Sequence, residues 1–101
     1  MSMTNAPLPQ FGPVVRRVRT NLGLNKSQLS QLIGVTPASV TLWEQGRKPE
    51  GASLRLLHVL DERLQTTPPK KAEMEKVMEA LAIGAAAVGL AILLGAIFKG
   101  K

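Results

Sequence analysis

The stretch that decides the fold is residues 22–49, which read LGLNKSQLSQLIGVTPASVTLWEQGRKP. Asn25 and Gln28 have the spacing of a capping box. In this motif the N-cap side chain bonds to the backbone of the third helical residue, and the side chain of that residue bonds to the backbone of the N-cap residue. Thr36 and Pro37 have the pattern of a second N-cap with proline at the first helical position. A glycine follows each helical segment, where a helix commonly ends. The stretch therefore predicts two short helices joined by a tight turn, which is a helix-turn-helix candidate.

The second of these helices has an unusual outward face. Val40 and Trp43 share one side of the helix, which we predict to be buried. The opposite side is uncharged and consists of Ala38, Thr41, Leu42 and Gln45. A face that meets only water normally carries Lys or Glu, so this one favours close contact with a ligand, and the major groove of DNA admits such a helix. Lys26, Arg47 and Lys48 flank it at positions that suit phosphate contacts.

Charge is divided unevenly along the chain. The 101 residues have a formal net charge of +6. Residues 1–71 carry ten Lys or Arg against four acidic residues, whereas residues 72–101 carry three of each sign. The basic part favours a polyanionic partner. There is no cysteine and only one histidine, His58, and no paired carboxylates or glycine-rich phosphate loop stand out. We therefore expect no metal site, no cofactor and no enzymatic activity.

The pattern of apolar residues predicts an all-α fold of several segments. Residues 1–10 contain two prolines and no charged residue, so we predict a disordered arm there. Residues 11–65 are predicted to form a four-helix domain. Its fourth helix is apolar over a wider band than a surface helix needs, which favours a two-fold dimer contact over core packing alone. Residues 66–71 are predicted to be a proline-rich linker, and residues 72–101 a C-terminal helix.

The C-terminal segment includes a long apolar run. Residues 80–98 contain no charged residue, and as one helix they would be ~28 Å long, close to the ~30 Å thickness of the hydrocarbon core. The run is therefore a candidate transmembrane helix. A stripe of small residues predicts self-association of this tail through Gly84, Ala87, Ala91 and Gly95. The Lys/Arg surplus before the run predicts that the N-terminal domain lies on the cytoplasmic side of a bacterial inner membrane.

The region from residue 11 to residue 64 resembles the phage-repressor family of helix-turn-helix proteins, the Cro/repressor or xenobiotic-response-element (XRE) type. The most specific parts of the resemblance are the opening LGLNKSQL at residues 22–29 and the ending WEQGRKP at residues 43–49. The four expected helices resemble most closely the compact form found in bacterial antitoxins and autoregulators. The resemblance implies a transcriptional regulator that binds double-stranded DNA, and it also implies that Arg19 pairs with Glu44.

The resemblance also implies which residues contact DNA. Residues 25–28 and 45–48 would contact phosphates, and the base-edge contacts would come from Pro37, Ala38, Thr41 and Leu42. The full set of expected DNA-contacting residues is Asn25, Lys26, Ser27, Gln28, Thr36, Pro37, Ala38, Ser39, Thr41, Leu42, Gln45, Arg47 and Lys48. This chain departs from its relatives at the base-reading positions. Apolar side chains there can contact a thymine methyl group but cannot form bidentate hydrogen bonds with a base.

The sequence leaves two other functions open, and both concern the apolar tail. One is an antitoxin-like protein whose tail binds a protein partner, which predicts a soluble complex. The other is a structural assembly subunit whose tail packs in an oligomer core while the basic domain binds nucleic acid. In either case the protein would lie in the cytoplasm as a soluble oligomer instead of at the membrane. As a regulator, it would be a homo-oligomer through the fourth helix, the tail or both.

Overall fold

A computed structural model describes residues 11–98, which fold into six α-helices without a β-strand. The helices are α1 (Phe11–Leu22), α2 (Lys26–Ile33), α3 (Pro37–Glu44), α4 (Gly51–Thr66), α5 (Lys71–Ala82) and α6 (Ala86–Ile97). The disordered arm predicted for residues 1–10 lies outside the described residues, as do residues 99–101. The all-α prediction is confirmed for the part of the chain that the structure describes.

Local capping explains where α2 and α3 begin and end. The Asn25 side chain accepts from the backbone N–H of Gln28, and the Gln28 side chain accepts from the backbone N–H of Asn25. After α2, Gly34 adopts a φ of +89°, a left-handed conformation that favours glycine. Thr36 caps α3, with Pro37 as its first residue. These sequence predictions of helix boundaries are confirmed.

The first four helices surround a common apolar core. Trp43 lies in this core, as its position on the inner face of α3 predicts. The members of this core between the start of α1 and the end of α4 are Val15, Val18, Leu22, Leu24, Leu29, Leu32, Val40, Trp43, Leu57, Leu60 and Leu64. The uncharged outer face of α3 is therefore fixed by the burial of its opposite face.

The prediction of a single long apolar C-terminal helix over residues 80–98 is wrong. Helix α5 ends at Ala82, and Gly84 follows with a φ of +80°. The N–H of Ala85 donates to the carbonyl of Ala80 (2.8 Å), and the N–H of Gly84 donates to the carbonyl of Leu81 (3.1 Å). These bonds close the end of α5 around a left-handed glycine, as at many helix ends. The chain then turns back, and α6 packs against α5 as a helical hairpin.

The α5–α6 hairpin packs on the four-helix core and adds buried side chains to it. The residues it contributes are Val77, Leu81, Leu93 and Ile97. Gly89 lies where α6 meets α5 and α2: a Cβ atom there would be in van der Waals contact, 3.4 Å from the carbonyl oxygen of Val77 and 3.6 Å from Cδ1 of Leu32. At the end of α6, the Arg63 guanidinium of α4 stacks on the ring of Phe98, 4.5 Å from its centroid. The apolar residues of the tail are therefore used, in large part, within this fold.

The hairpin also removes the predicted transmembrane span. Helix α6 has 12 residues, which makes it about 18 Å long, well short of the ~30 Å hydrocarbon core. Within residues 11–98, no helix combines the length and the apolar character that crossing a membrane requires. The transmembrane and membrane-anchor predictions, which depended on one continuous helix, are therefore not supported.

Candidate nucleic-acid interface

The outer face of α3 is exposed and has no charged side chain. Pro37, Ala38, Leu42 and Gln45 are exposed, and Thr41 is half-buried. The face is held outward because Val40 and Trp43 on the other side of the helix are buried. Its residues are free to meet an incoming surface, in the arrangement that the sequence predicts.

Thr36 and Ser39, two of the expected DNA-contacting residues, cap the start of α3. The Thr36 hydroxyl accepts from the backbone N–H of Ser39 (3.2 Å), and the two hydroxyl groups lie 3.1 Å apart. They fix the first turn of α3 and leave little hydrogen-bonding capacity for a base or phosphate. Thr36 and Ser39 therefore contribute to an interface by fixing the start of α3.

Three cations flank the outer face of α3. Lys26 is the first residue of α2 and is half-buried, whereas Arg47 and Lys48 follow α3 and are exposed. Within the described residues, none of the three forms an ion pair. Cations that precede and follow an uncharged recognition-type helix in the chain provide the charge that a phosphate backbone would neutralise.

The capping box before α2 forms as predicted, but Gln28 also makes a contact with α5 that the sequence does not indicate. Oε1 of Gln28 accepts from the backbone N–H of Asn25 (2.9 Å), and Nε2 of Gln28 donates to Sδ of Met78 on α5 (3.8 Å). Asn25 in turn accepts from the backbone N–H of Gln28 (2.7 Å). Gln28 is engaged through both its amide oxygen and its amide nitrogen, whereas the contact of Asn25 uses only its oxygen. Side-chain contacts to phosphate from this turn therefore fall to Lys26, Ser27 and the amide nitrogen of Asn25.

An ion pair between α1 and α3 orients the outer face. Arg19 donates through Nε to Oε2 of Glu44 (2.7 Å) and through Nη2 to Oε1 (3.3 Å). The pair that the resemblance implies is thus present. Gly12 allows α1 to approach the end of α3, because a Cβ atom there would lie 2.6 Å from the carbonyl oxygen of Glu44. The C-terminal end of α3 is held at a fixed position against α1.

Residues 15–61 match the family model described as helix-turn-helix. The match confirms, over this part of the chain, the resemblance to helix-turn-helix domains of the phage-repressor (Cro/repressor, XRE) type. Its two defining helices are α2 and α3, and α3 is in the position of the recognition helix. The match begins in α1 and ends in α4, so the α5–α6 hairpin lies outside it. Comparisons with curated proteins and with solved structures gave no match.

The helix-turn-helix domain has a second ion pair that the sequence analysis missed. Arg17 donates through Nε and Nη2 to the two carboxylate oxygens of Asp61 on α4, at 2.8 and 2.9 Å. These hydrogen bonds and the positive charge hold the pKa of Asp61 below its usual value, although partial burial acts in the opposite direction. The same contact raises the pKa of Arg17. Forty-four residues separate the partners, so no local pattern could indicate the pair.

The small residues expected to mediate tail self-association no longer lie on one helix. Gly84 forms the turn between α5 and α6. Ala87, Ala91 and Gly95 lie along α6 and are exposed, so self-association through them remains a prediction. Among residues 11–98, no group of three or more His, Asp or Glu side chains could hold a metal ion.

Proposed function

We propose that this chain is a transcriptional regulator that places α3 in the major groove of double-stranded DNA and binds as a homodimer. The observation that carries the proposal is the exposed, uncharged face of α3, with cations that form no ion pair among the described residues at the start of α2 and just after α3. In this arrangement Lys26, Arg47 and Lys48 contact phosphates. Bases are contacted by Pro37, Ala38, Thr41, Leu42 and Gln45. Such a protein acts in the cytoplasm, where the DNA is.

The phosphate contacts are tested by removing two cations. Arg47→Gln with Lys48→Gln should weaken binding to every duplex and lower the slope of log K against log salt by ~0.9 for each lost contact. Lys76→Gln, which removes an exposed cation of α5, should leave the slope unchanged. If the double variant binds a random duplex as tightly as the parent chain at ~100 mM salt, the proposed orientation on DNA is wrong.

Sequence reading is tested separately from phosphate binding. Leu42→Ala removes an exposed apolar side chain in a position to contact a thymine methyl group. Selection of preferred sequences from a random pool should therefore give a different consensus for the variant, while its affinity for random duplex stays within about twofold. An unchanged consensus would mean that Leu42 does not face the bases.

The proposal of a homodimer rests on apolar residues that the fold leaves exposed. Helix-turn-helix proteins commonly read two half-sites about one helical turn of DNA apart, which requires two copies of the domain. Ile83 in the hairpin turn is 80% exposed and Val88 on α6 is 54% exposed. On α4, the candidate dimer residue is Val59, which is less exposed at 37%. We therefore propose the hairpin, not α4, as the main contact between copies.

The mass of the chain in solution tests this contact and separates it from the alternatives. We expect a dimer in sedimentation experiments that Val88→Lys dissociates and Val59→Lys preserves. The reverse result would move the contact to α4. A monomer that binds DNA would favour the antitoxin-like protein, whose exposed hairpin residues would contact a different protein. Large particles with little sequence preference would favour the assembly subunit.

A further inference from the structure

Helix α5 lies alongside α2 in a defined register. Nε2 of Gln28 donates to Sδ of Met78 (3.8 Å), and Nε2 of Gln31 donates to the carbonyl oxygen of Leu81 (3.4 Å). Each contact joins residues that are 50 positions apart in the sequence. A constant separation means that α2 and α5 run in the same direction along this contact, because antiparallel helices would give separations that change from one contact to the next.

This register makes α5 extend beyond the start of α2. The residue of α5 that lies level with Lys26, the first residue of α2, is Lys76. Helix α5 begins at Lys71, so it continues for five further residues, or roughly 7 Å at about 1.5 Å per residue. In the proposed complex, the N-terminal end of α2 approaches the phosphate backbone. The start of α5 therefore projects toward the same side of the molecule.

The start of α5 carries two lysines with exposed side chains. Lys71 precedes Met78 by seven residues, two helical turns, so both lie on the face of α5 that is directed toward α2. Lys70 immediately precedes the helix, and both lysines are exposed. Neither forms an ion pair among the described residues. Lys76 lies two residues before Met78, which places it on nearly the opposite side of α5.

The acidic residues near these lysines form no ion pair with them in the part of the chain that the structure describes. Oε1 of Glu73 accepts from the backbone N–H of Lys70 (2.7 Å), so this carboxylate caps the helix. Glu75 is one turn after Lys71, but the two side chains form no ion pair within 4 Å. The side chains of Lys70 and Lys71 are consequently available to an external anion.

We infer that Lys70 and Lys71 contact phosphates next to those contacted at the start of α2. The hairpin, which lies outside the family match, then lengthens the electrostatic footprint of the domain on DNA. This inference rests on the proposed function, because it assumes that α3 lies in the major groove.

The test uses the full chain and a random-sequence duplex titrated with salt. Lys70→Gln with Lys71→Gln should lower the slope of log K against log salt by ~0.9 per lost contact, which corresponds to a loss of affinity of about eightfold per contact at ~0.1 M salt. The matched control is Lys76→Gln, for which we expect no change in slope or affinity and an unchanged mass in sedimentation. Because all three side chains are exposed, the thermal unfolding midpoint should stay the same in every variant.

The results separate this inference from the proposed function. If Arg47→Gln with Lys48→Gln weakens binding but Lys70→Gln with Lys71→Gln does not, the domain binds DNA as proposed and the inference about α5 is wrong. The inference also fails if Lys76→Gln loses as much affinity as the double variant, or if the double variant binds more tightly. If the unaltered chain does not bind DNA at all, the proposed function itself fails.

Discussion

Arg19 and Arg16 both contact the carboxylate of Glu44 from α1, but the structure predicts very different costs for removing them. Arg19 donates two hydrogen bonds, at 2.7 and 3.3 Å, and its side chain is 23% exposed. Nε of Arg16 lies 3.7 Å from Oε1, and the Arg16 side chain is 55% exposed. The Glu44 side chain is only 5% exposed. Arg19→Ala would therefore leave a desolvated carboxylate with only the weaker of its two partners.

The expected magnitudes follow from this difference. A hydrogen bond to a charged group contributes about 1.5–3 kcal/mol, and the two bonds of Arg19 share one carboxylate, so we expect Arg19→Ala to lower the free energy of unfolding by about 2–4 kcal/mol. The exposed contact of Arg16 is worth about 0.2–1 kcal/mol. In a domain of this size, these values correspond to a fall in Tm of more than about 8 °C for Arg19→Ala and less than about 8 °C for Arg16→Ala.

Trp43 provides the assay, because it is the only tryptophan, it is buried, and it is next to Glu44 in the sequence. Urea unfolding followed by its fluorescence gives the free energies of unfolding. Arg19→Lys should be intermediate, since an ammonium group keeps the charge but cannot form the bidentate contact. A double-mutant cycle with Glu44→Ala should give a coupling of more than about 1.5 kcal/mol. Equal losses for Arg16→Ala and Arg19→Ala, or additive effects in the cycle, would refute this account of how α3 is oriented.

Two further predictions concern contacts of α1 and α6. Arg17 holds the pKa of Asp61 below its usual value, so this pair stabilises the fold at pH values above the ordinary Asp pKa of 3.8. That stability is lost as the pH falls through the lower pKa of the folded state. Thermal melts of Asp61→Asn and the parent chain should therefore differ at pH 7 and converge in acid, and a constant difference would argue against the pair. Gly12→Ala places a Cβ atom 2.6 Å from a backbone oxygen and should destabilise by about 1–3 kcal/mol. By contrast Gly95→Ala, with open space around it, should be neutral or stabilising by up to about 1 kcal/mol; a loss of similar size in both variants would contradict the close approach.

The helix-turn-helix could be predicted from the sequence because its signals are local. Asn25 and Gln28 cap α2 through contacts that span three residues. Thr36 and Pro37 start α3 in the same short-range way. Such side-chain contacts with the backbone depend little on the rest of the fold, so they can be recognised without it. The burial of Trp43 follows from the same boundaries, because they fix which side of α3 faces inward.

The hairpin could not be predicted from hydropathy, because an apolar run has the same composition whether lipid or protein covers it. Leu93 and Ile97 are fully buried against the helix-turn-helix core, a destination that depends on residues distant in the sequence. One local signal was available in Gly84, since a glycine that ends a helix is common. In a continuous helix the same glycine belongs to the stripe of small residues, and the two interpretations differ only in the backbone conformation of this residue.

The composition of the tail has a physical reason within this fold. A domain of about 55 residues buries a small fraction of its surface and is only marginally stable. The hairpin adds buried apolar side chains to the same core, and it contacts α2 directly through Leu32, Gln28 and Gln31. Helix α2 thus lies between the recognition helix on one side and α5 on the other. The hairpin therefore fixes the position of the helix that presents Lys26, which connects the apolar tail to the surface that we propose to bind DNA.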